Sequence, residues 1–207
     1  IRNVPGVTIL NISKWFNQVL VETSDPNAIG TINSFPFVLH SKPVATLRRS
    51  TENIAALSEC NATEHLASPA KVTANLLDYG NNYQQVHIHE GEYLHNNNFQ
   101  GQGVTIAILD GGFYGYKTNP ALDSVRNNHQ VLGEYDFVMK EESVNEDNVH
   151  GANCFSIMAS NRPGYIVGTA PKASYWLFRT EDVATEKPVE EFNWVEAAER
   201  ADSLGAD

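Results

Sequence analysis

Cysteine is scarce in this 207-residue sequence, which has two, Cys60 and Cys154. Two cysteines make no disulfide scaffold, and they complete a four-ligand zinc site only with help from histidine. Basic residues are also in short supply. Lys and Arg number 14 against 25 Asp and Glu, a formal net charge of -11. A surface of that sign repels phosphates, which excludes charge-driven binding to nucleic acid or anionic lipid. No apolar run approaches the roughly 20 residues needed to span a bilayer. There is neither a signal peptide nor an initiator Met at Ile1, so the sequence is expected to start inside a longer product or after processing. Internal repeats and low-complexity tracts are missing too. What is present is an ordinary globular balance of 42% apolar, 10% aromatic and 19% charged residues, sized for one or two domains.

The pattern divides the chain into three regions. In residues 1–47, alternating apolar positions between Val7 and Thr23 predict a strand. Asp25-Pro26 caps and opens a short helix through Ile29 and Ile32. Phe35 to Val44 then reads as a second strand. This is a small α+β unit, expected to lack a first strand and helix upstream of Ile1. Residues 48–78 read as a linker or processing region, polar around Arg48-Arg49 and with little periodicity from Ser58 to Pro69. The dibasic pair is either solvated surface or a cleavage site. Residues 79–207 carry an α/β pattern. Val104 to Leu109 is a nearly continuous apolar strand, of the kind buried on both faces. Val131 to Val138 and Ala173 to Phe178 are two more strands. Ala152 to Ser160 and Val189 to Leu204 are helices, the second closed by Gly205 as a C-terminal cap. The order strand, strand, helix, strand, helix predicts an open, mostly parallel sheet with helices on both faces.

Three constellations can carry chemistry. Asp110 stands at the carboxyl end of the first α/β strand, where functional groups cluster in open sheets; Asp110-Gly111-Gly112 is equally good turn chemistry. The spacing Asp110-x-Gly112-x-x-Gly115 imitates a dinucleotide fingerprint, but Tyr116 to Pro120 opens no helix to receive a pyrophosphate. His150, at a helix start after an acidic loop, is placed to act as a general base oriented by a carboxylate; a lone surface histidine would look the same. The third group is His87-x-His89-Glu90 with His95. Alternate residues on a strand would share a face, yet the spacing fits no zinc signature. The reading there is a polar arm packed on the α/β domain, with no metal.

Taken in order, these segments resemble the subtilisin-like serine proteases, the subtilases. Gly101-Gln102-Gly103-Val104-Thr105-Ile106-Ala107-Ile108-Leu109-Asp110 is similar to the family's aspartate strand, G-x-G-V-x-[IV]-A-[IV]-[IL]-D. Asp147-x-x-His150-Gly151-Ala152 is similar to its D-x-x-H-G-T histidine motif, and Gly168-Thr169-Ala170-Pro171-x-Ala173 to its G-x-A-P-x-A segment. The helix from Trp194 resembles the one before the family's next core strand. Residues 7–45 are similar to the second half of a subtilase propeptide, which assists folding and inhibits the enzyme until cleaved. Three features depart from the family. Gly111 stands where Thr, Ser or Ala is usual, and Ala152 where Thr is usual. The oxyanion-hole Asn and the G-T-S-M-A serine motif are not in this sequence.

The resemblance implies an α/β fold: a partial subtilisin-like, mostly parallel sheet with helices on both faces, preceded by a small α+β propeptide-like unit. It implies the N-terminal part of a secreted or cell-envelope bacterial endopeptidase zymogen, with Asp110 and His150 as catalytic residues. The serine would come from the C-terminal half of the same protease. A polypeptide substrate would lie as a strand beside Arg179, Thr180, Glu181 and Asp182, continuing to Glu186, and the acids there hint at basic substrate residues. Cys154, four residues after His150, reads as a packing thiol under the histidine rather than a nucleophile. No cofactor is implied. Calcium commonly stabilises subtilases, but the sequence shows no complete oxygen-ligand loop. The Asn11-Ile12-Ser13 and Asn61-Ala62-Thr63 sequons carry no meaning in a bacterial protein. The alternative is a non-catalytic subtilase-like binding or scaffold protein, to which Gly111 and Ala152 lend support.

Overall fold

The computed structural model describes residues 1–44, 75–146, 148–185 and 187–207. Most of the expected linker lies outside the described residues, with Arg48, Arg49, Cys60 and the Asn61 sequon; Asp147 and Glu186 also lie outside them.

The first unit is a hairpin and a helix. Strand β1 (Val7–Ser13) pairs antiparallel with β2 (Gln18–Thr23), with a register shift between Ile9 and Asn11. The single strand expected over Val7 to Thr23 is thus two. The chain reverses at Lys14 to Asn17, where Asn17 takes φ 48°, a left-handed conformation that asparagine tolerates better than most residues. Helix α1 (Ala28–Asn33) follows, its entry held by the Asn27 N–H donating to Asp25 Oδ1 at 2.9 Å. Val4, Ala28 and Ile32 form this unit's core. The second strand expected over Phe35 to Val44 is not there; the segment is a turn followed by irregular chain. Pro36 and Pro43 remove two N–H donors that a ladder would need.

From Tyr79 an arm runs over the α/β domain. It holds two short helices, α2 (Tyr83–His87) and α3 (Gly91–Asn96), so His87 and His89 do not share the face that a strand would have given them. Asn82 fastens the arm. Its Nδ2 donates to the Val167 carbonyl at 2.7 Å and its Oδ1 accepts the Val167 N–H at 3.1 Å. The α/β domain then runs β3 (Thr105–Asp110), α4 (Asp123–Asn127), β4 (Val131–Asp136), α5 (His150–Ala159), the small hairpin β5 (Asn161–Arg162) and β6 (Ile166–Val167), β7 (Ser174–Arg179) and α6 (Val189–Ser203).

The main sheet has the order β3-β7-β4 and is parallel throughout. Period-two alternation assigns its faces. Ile106, Ile108, Tyr175 and Leu177 pack on one side with Ala152, Phe155 and Ala159 of α5. Ala107, Leu109, Trp176 and Phe178 pack on the other with Ala197 and Ala201 of α6. Helices therefore cover both faces, which is why β3 and β7 lack polar-apolar alternation. Helix α6 stops at Gly205, φ 79°, with Ala206 N–H donating to Ala201 O and Gly205 N–H to Asp202 O, each at 3.0 Å. That is the paired closure a left-handed glycine permits.

The N-terminal hairpin lies against α6. Asn11 Nδ2 donates to Phe192 O at 3.1 Å and to Glu196 Oε2 at 2.5 Å. Glu199 accepts three hydrogen bonds, from Ser13 Oγ at 2.5 Å, Lys14 N–H at 2.9 Å and Trp15 N–H at 3.1 Å. Asn11 and Ser13 are each only 3% exposed as a result.

Candidate active site

Asp110 ends β3 with its carboxylate almost covered. Gly111 N–H donates to Oδ1 at 2.7 Å, and Thr180 N–H, from the end of neighbouring β7, donates to the Asp110 carbonyl at 2.9 Å. The neighbouring parallel strand thus fixes the Asp110 backbone, and the next residue's N–H fixes the carboxylate. His150 arrives from a different direction, as the first residue of α5. Its N–H donates to Asn148 Oδ1 at 2.7 Å, and Gly151 N–H donates to Gly112 O at 2.9 Å. The second bond ties the helix start to the loop that follows Asp110.

This approach leaves no room for side chains on the glycines involved. A Cβ on Gly151 would sit 2.5 Å from Gly112 O and 3.0 Å from Asp110 Cβ. Gly112 combines φ 147° with a backbone wall, the Asn148 N and Glu146 O, 2.8 Å from where its Cβ would be. The two short links, Gly111-Gly112 and His150-Gly151, let the strand end and the helix start meet.

The structure brings Asp110 and His150 together. His150 Nδ1–H donates to the carboxylate, at 2.9 Å to Oδ2 and 3.1 Å to Oδ1. The Asp110 side chain is 11% exposed and that of His150 71%, so the pair has one dry member and one wet one. With Nδ1 toward Asp110, Nε2 faces the solvent side. Such a pair can take a proton from a group placed at Nε2 while the carboxylate stabilises the imidazolium formed.

Cys154 lies one turn along α5, its Sγ 3.8 Å from Nδ1 and 4.0 Å from Nε2. The near-equal distances put the sulfur beside the ring without singling out either nitrogen. Burial pushes the thiol pKa up, and the nearby Asp110 charge and hydrogen bond push the same way. The sulfur therefore stays protonated and packs. Asp110, His150 and Cys154 offer ligand atoms within 4.8 Å of one another, and so do Asp136, Glu141 and Glu146. In the latter group the Asp136 carboxylate is already engaged by Arg179 and the Val138 and Met139 N–H groups.

The four residues of the expected substrate strand separate. Arg179 turns inward, 4% exposed, with Nη1 donating to Asp136 Oδ2 at 2.7 Å and Nε to Gly111 O at 3.3 Å. Thr180 is fully buried. Asp182 caps its own loop, accepting from Thr185 Oγ1 at 2.6 Å and Ala184 N–H at 3.3 Å. The Thr185 hydroxyl is the main reason its pKa lies below the usual carboxylate range. Glu181 reaches the surface and lines an open groove of about 470 Å³ with Glu190, Glu191, Trp194 and Val195.

The histidines of the arm do not converge. His87 pairs with Glu92. His95 is buried, its Nε2–H donating to Thr169 O at 2.9 Å and its Nδ1 accepting the Tyr79 hydroxyl at 2.7 Å. Burial, with the Glu92 and Tyr83 charges behind it, pushes the Tyr79 pKa up to about 12. These are packing contacts that hold the arm. Sequence reasoning missed the Glu196 and Glu199 carboxylates under the hairpin. Their partners in the hairpin lie more than 180 positions away, and no local pattern marks them.

Comparisons with known proteins bear on both units. Residues 1–61 match the family described as the peptidase S8 propeptide domain of Bacteroidota. Thermitase of Thermoactinomyces vulgaris is 36% identical over 90 residues, which are 40% of this chain and 28% of that protein. The chain thus spans little more than a quarter of that curated relative. A crystal structure of MycP1 with its N-terminal propeptide removed is 23% identical, with a TM-score of 0.42 over 59% of this chain and 34% of that one. The propeptide match and the thermitase likeness support a subtilase N-terminal region.

Proposed function

We propose that the chain is the N-terminal part of a secreted or cell-envelope subtilisin-like serine endopeptidase proenzyme, and that Asp110 and His150 are two members of its triad. The observation that carries this reading is the bond from His150 Nδ1 to the Asp110 carboxylate, 2.9 Å, with Nε2 on the solvent side. A serine hydroxyl brought to Nε2 from the C-terminal half of the protein would lose its proton to His150 as it attacks the scissile carbonyl. Asp110 would hold the ring in the Nδ1–H tautomer and stabilise the imidazolium without taking the proton itself. The chemistry needs no cofactor. The substrate is an extended polypeptide beside the chain that leaves β7, with Glu181 and the groove next to it favouring basic side chains. Residues 1–47 act as the propeptide, docked through β1 on α6, and residues 48–78 hold the processing region.

A fluorophosphonate probe on the full-length protein tests this. The wild-type protein should label at one serine and hydrolyse a peptide library. His150→Ala should label and turn over several orders of magnitude more slowly, and Asp110→Asn about 10⁴-fold more slowly, through the wrong tautomer. Full activity in a folded His150→Ala variant would end the protease reading.

A further inference from the structure

Gly111 is an anomaly that the backbone does not explain. Its φ lies outside the left-handed region, so any residue could adopt its conformation. The reason for glycine is space. A Cβ on Gly111 would sit 2.5 Å from Val183 Cγ1, while the next atoms, Glu181 Oε2 and Cβ, would be at ordinary contact distances of 3.7 and 3.9 Å. The one close contact a side chain at 111 would meet is therefore a methyl of Val183, whose side chain is otherwise half exposed. Val183 belongs to the loop after β7, which Asp182 stiffens through Thr185, Ala184 and Lys187.

Gly111 is the residue whose N–H holds Asp110 Oδ1, at 2.7 Å, and whose carbonyl accepts from Arg179 Nε, at 3.3 Å. A glycine has the widest backbone freedom of any residue. Its N–H keeps one direction only when its neighbours confine it. Arg179 holds the carbonyl, and a methyl of the half-exposed Val183 lies over the side of the Cα where a Cβ would be.

We propose that Val183 is a positioning residue for the Asp110–His150 pair: one of its methyls covers the open side of Gly111, and so limits the swing of the N–H that orients the Asp110 carboxylate. The proposal rests on the protease reading for its kinetic consequence and deepens it. The loop that leaves the proposed substrate strand and the catalytic carboxylate become one packed unit.

The test is a mutant cycle in the full-length protein. Val183→Ala should lower kcat about tenfold with KM within about twofold, because misplacement near the reacting groups is felt in turnover. Gly111→Ala should cost more, since its new methyl meets Val183. The double variant Gly111→Ala with Val183→Ala removes that collision and should recover to within about threefold of wild type, the non-additivity expected of residues in contact. Beside the kinetics, the low-field proton resonance of His150 Nδ1–H, assigned by its loss in His150→Ala, should shift and exchange faster in Val183→Ala and return in the double variant. A Val183→Ala protein that melts lower with kcat and this resonance unchanged would overturn the proposal, as would strictly additive costs. Should wild type show no turnover, the protease reading falls, and the resonance alone still decides the role of Val183.

Discussion

Arg179 shows how one residue can look like a binding group and work as a brace. It stands just past the apolar run of β7, at the strand end where ligands gather in open sheets, and its charge suggests contact with substrate. Burial decides otherwise. Arg179 is 4% exposed and Asp136 fully buried, joined at 2.7 Å across adjacent strands. Asp136 also accepts the Val138 and Met139 N–H groups, at 2.7 and 2.8 Å, so the carboxylate is well satisfied. A pair of this kind adds little over a well-packed apolar pair, but breaking it strands a charge. Arg179→Met should therefore cost about 3–5 kcal/mol of stability, read from the denaturant midpoint. Adding Asp136→Asn should return part of that loss, because the amide oxygen still accepts the backbone N–H groups and no charge is left behind. A cost below about 1 kcal/mol for Arg179→Met would show that water reaches Asp136.

Elements with strong local signals were legible in the sequence. The run Val104 to Leu109 ending on Asp110 is β3, the periodic stretch from Val189 is α6, and Gly205 closes it. These depend on periodicity and cap chemistry, which are local. The short helices α2 and α3 were not legible. Five and six residues offer less than two turns of periodicity, and what stabilises them is tertiary: Asn82 on Val167 and His95 on Thr169, 85 and 74 positions away. The site was half legible. Asp110 and His150 carry motif signals, but the use of Arg179 as a brace and of Val183 as a cover lies in contacts between distant segments. The same holds for the contact of β1 with α6, where the sign of a pH effect follows from Glu199. The hydrogen bond from Ser13, and with it the Lys14 and Trp15 N–H groups, lowers the Glu199 pKa in the docked state. A depressed carboxylate stabilises docking above its undocked pKa, roughly 4.3, and that stabilisation fades as pH falls through the docked value. Amide protection of Lys14 and Trp15, corrected for intrinsic exchange, should hold at neutral pH and fall once the pH drops below the ordinary glutamate range. Glu199→Gln should lose protection at neutral pH and flatten the profile. A profile unchanged by Glu199→Gln would assign the docking to other contacts.

At the scale of the whole molecule, two units with separate cores meet across a polar seam. The hairpin unit is built on Val4, Ala28 and Ile32, the α/β domain on the two clusters that flank the sheet. No shared apolar cluster joins them among the described residues. Five hydrogen bonds described above run across the seam from Asn11, Ser13, Lys14 and Trp15 to Phe192, Glu196 and Glu199, and four of them end on a carboxylate. Hydrogen bonds to charged groups are stronger than those between neutral groups, and removing a shared acceptor strands every donor it served. Glu199 serves three, so it should dominate the seam. With a specific protease site placed between residues 48 and 53 and then cut, the two units should remain one particle in size-exclusion chromatography at neutral pH. Glu199→Ala should weaken the cut complex more than any other single change at the seam, read as a faster dissociation of the two units. Glu196→Ala should cost less, because Lys140, 2.9 Å from Glu196 Oε2, is partly exposed and regains water. Each variant should leave the melting temperature of the separated α/β unit within about 2 °C, since neither glutamate belongs to its core. Equal affinities for wild type and Glu199→Ala would move the hold between the units away from this helix.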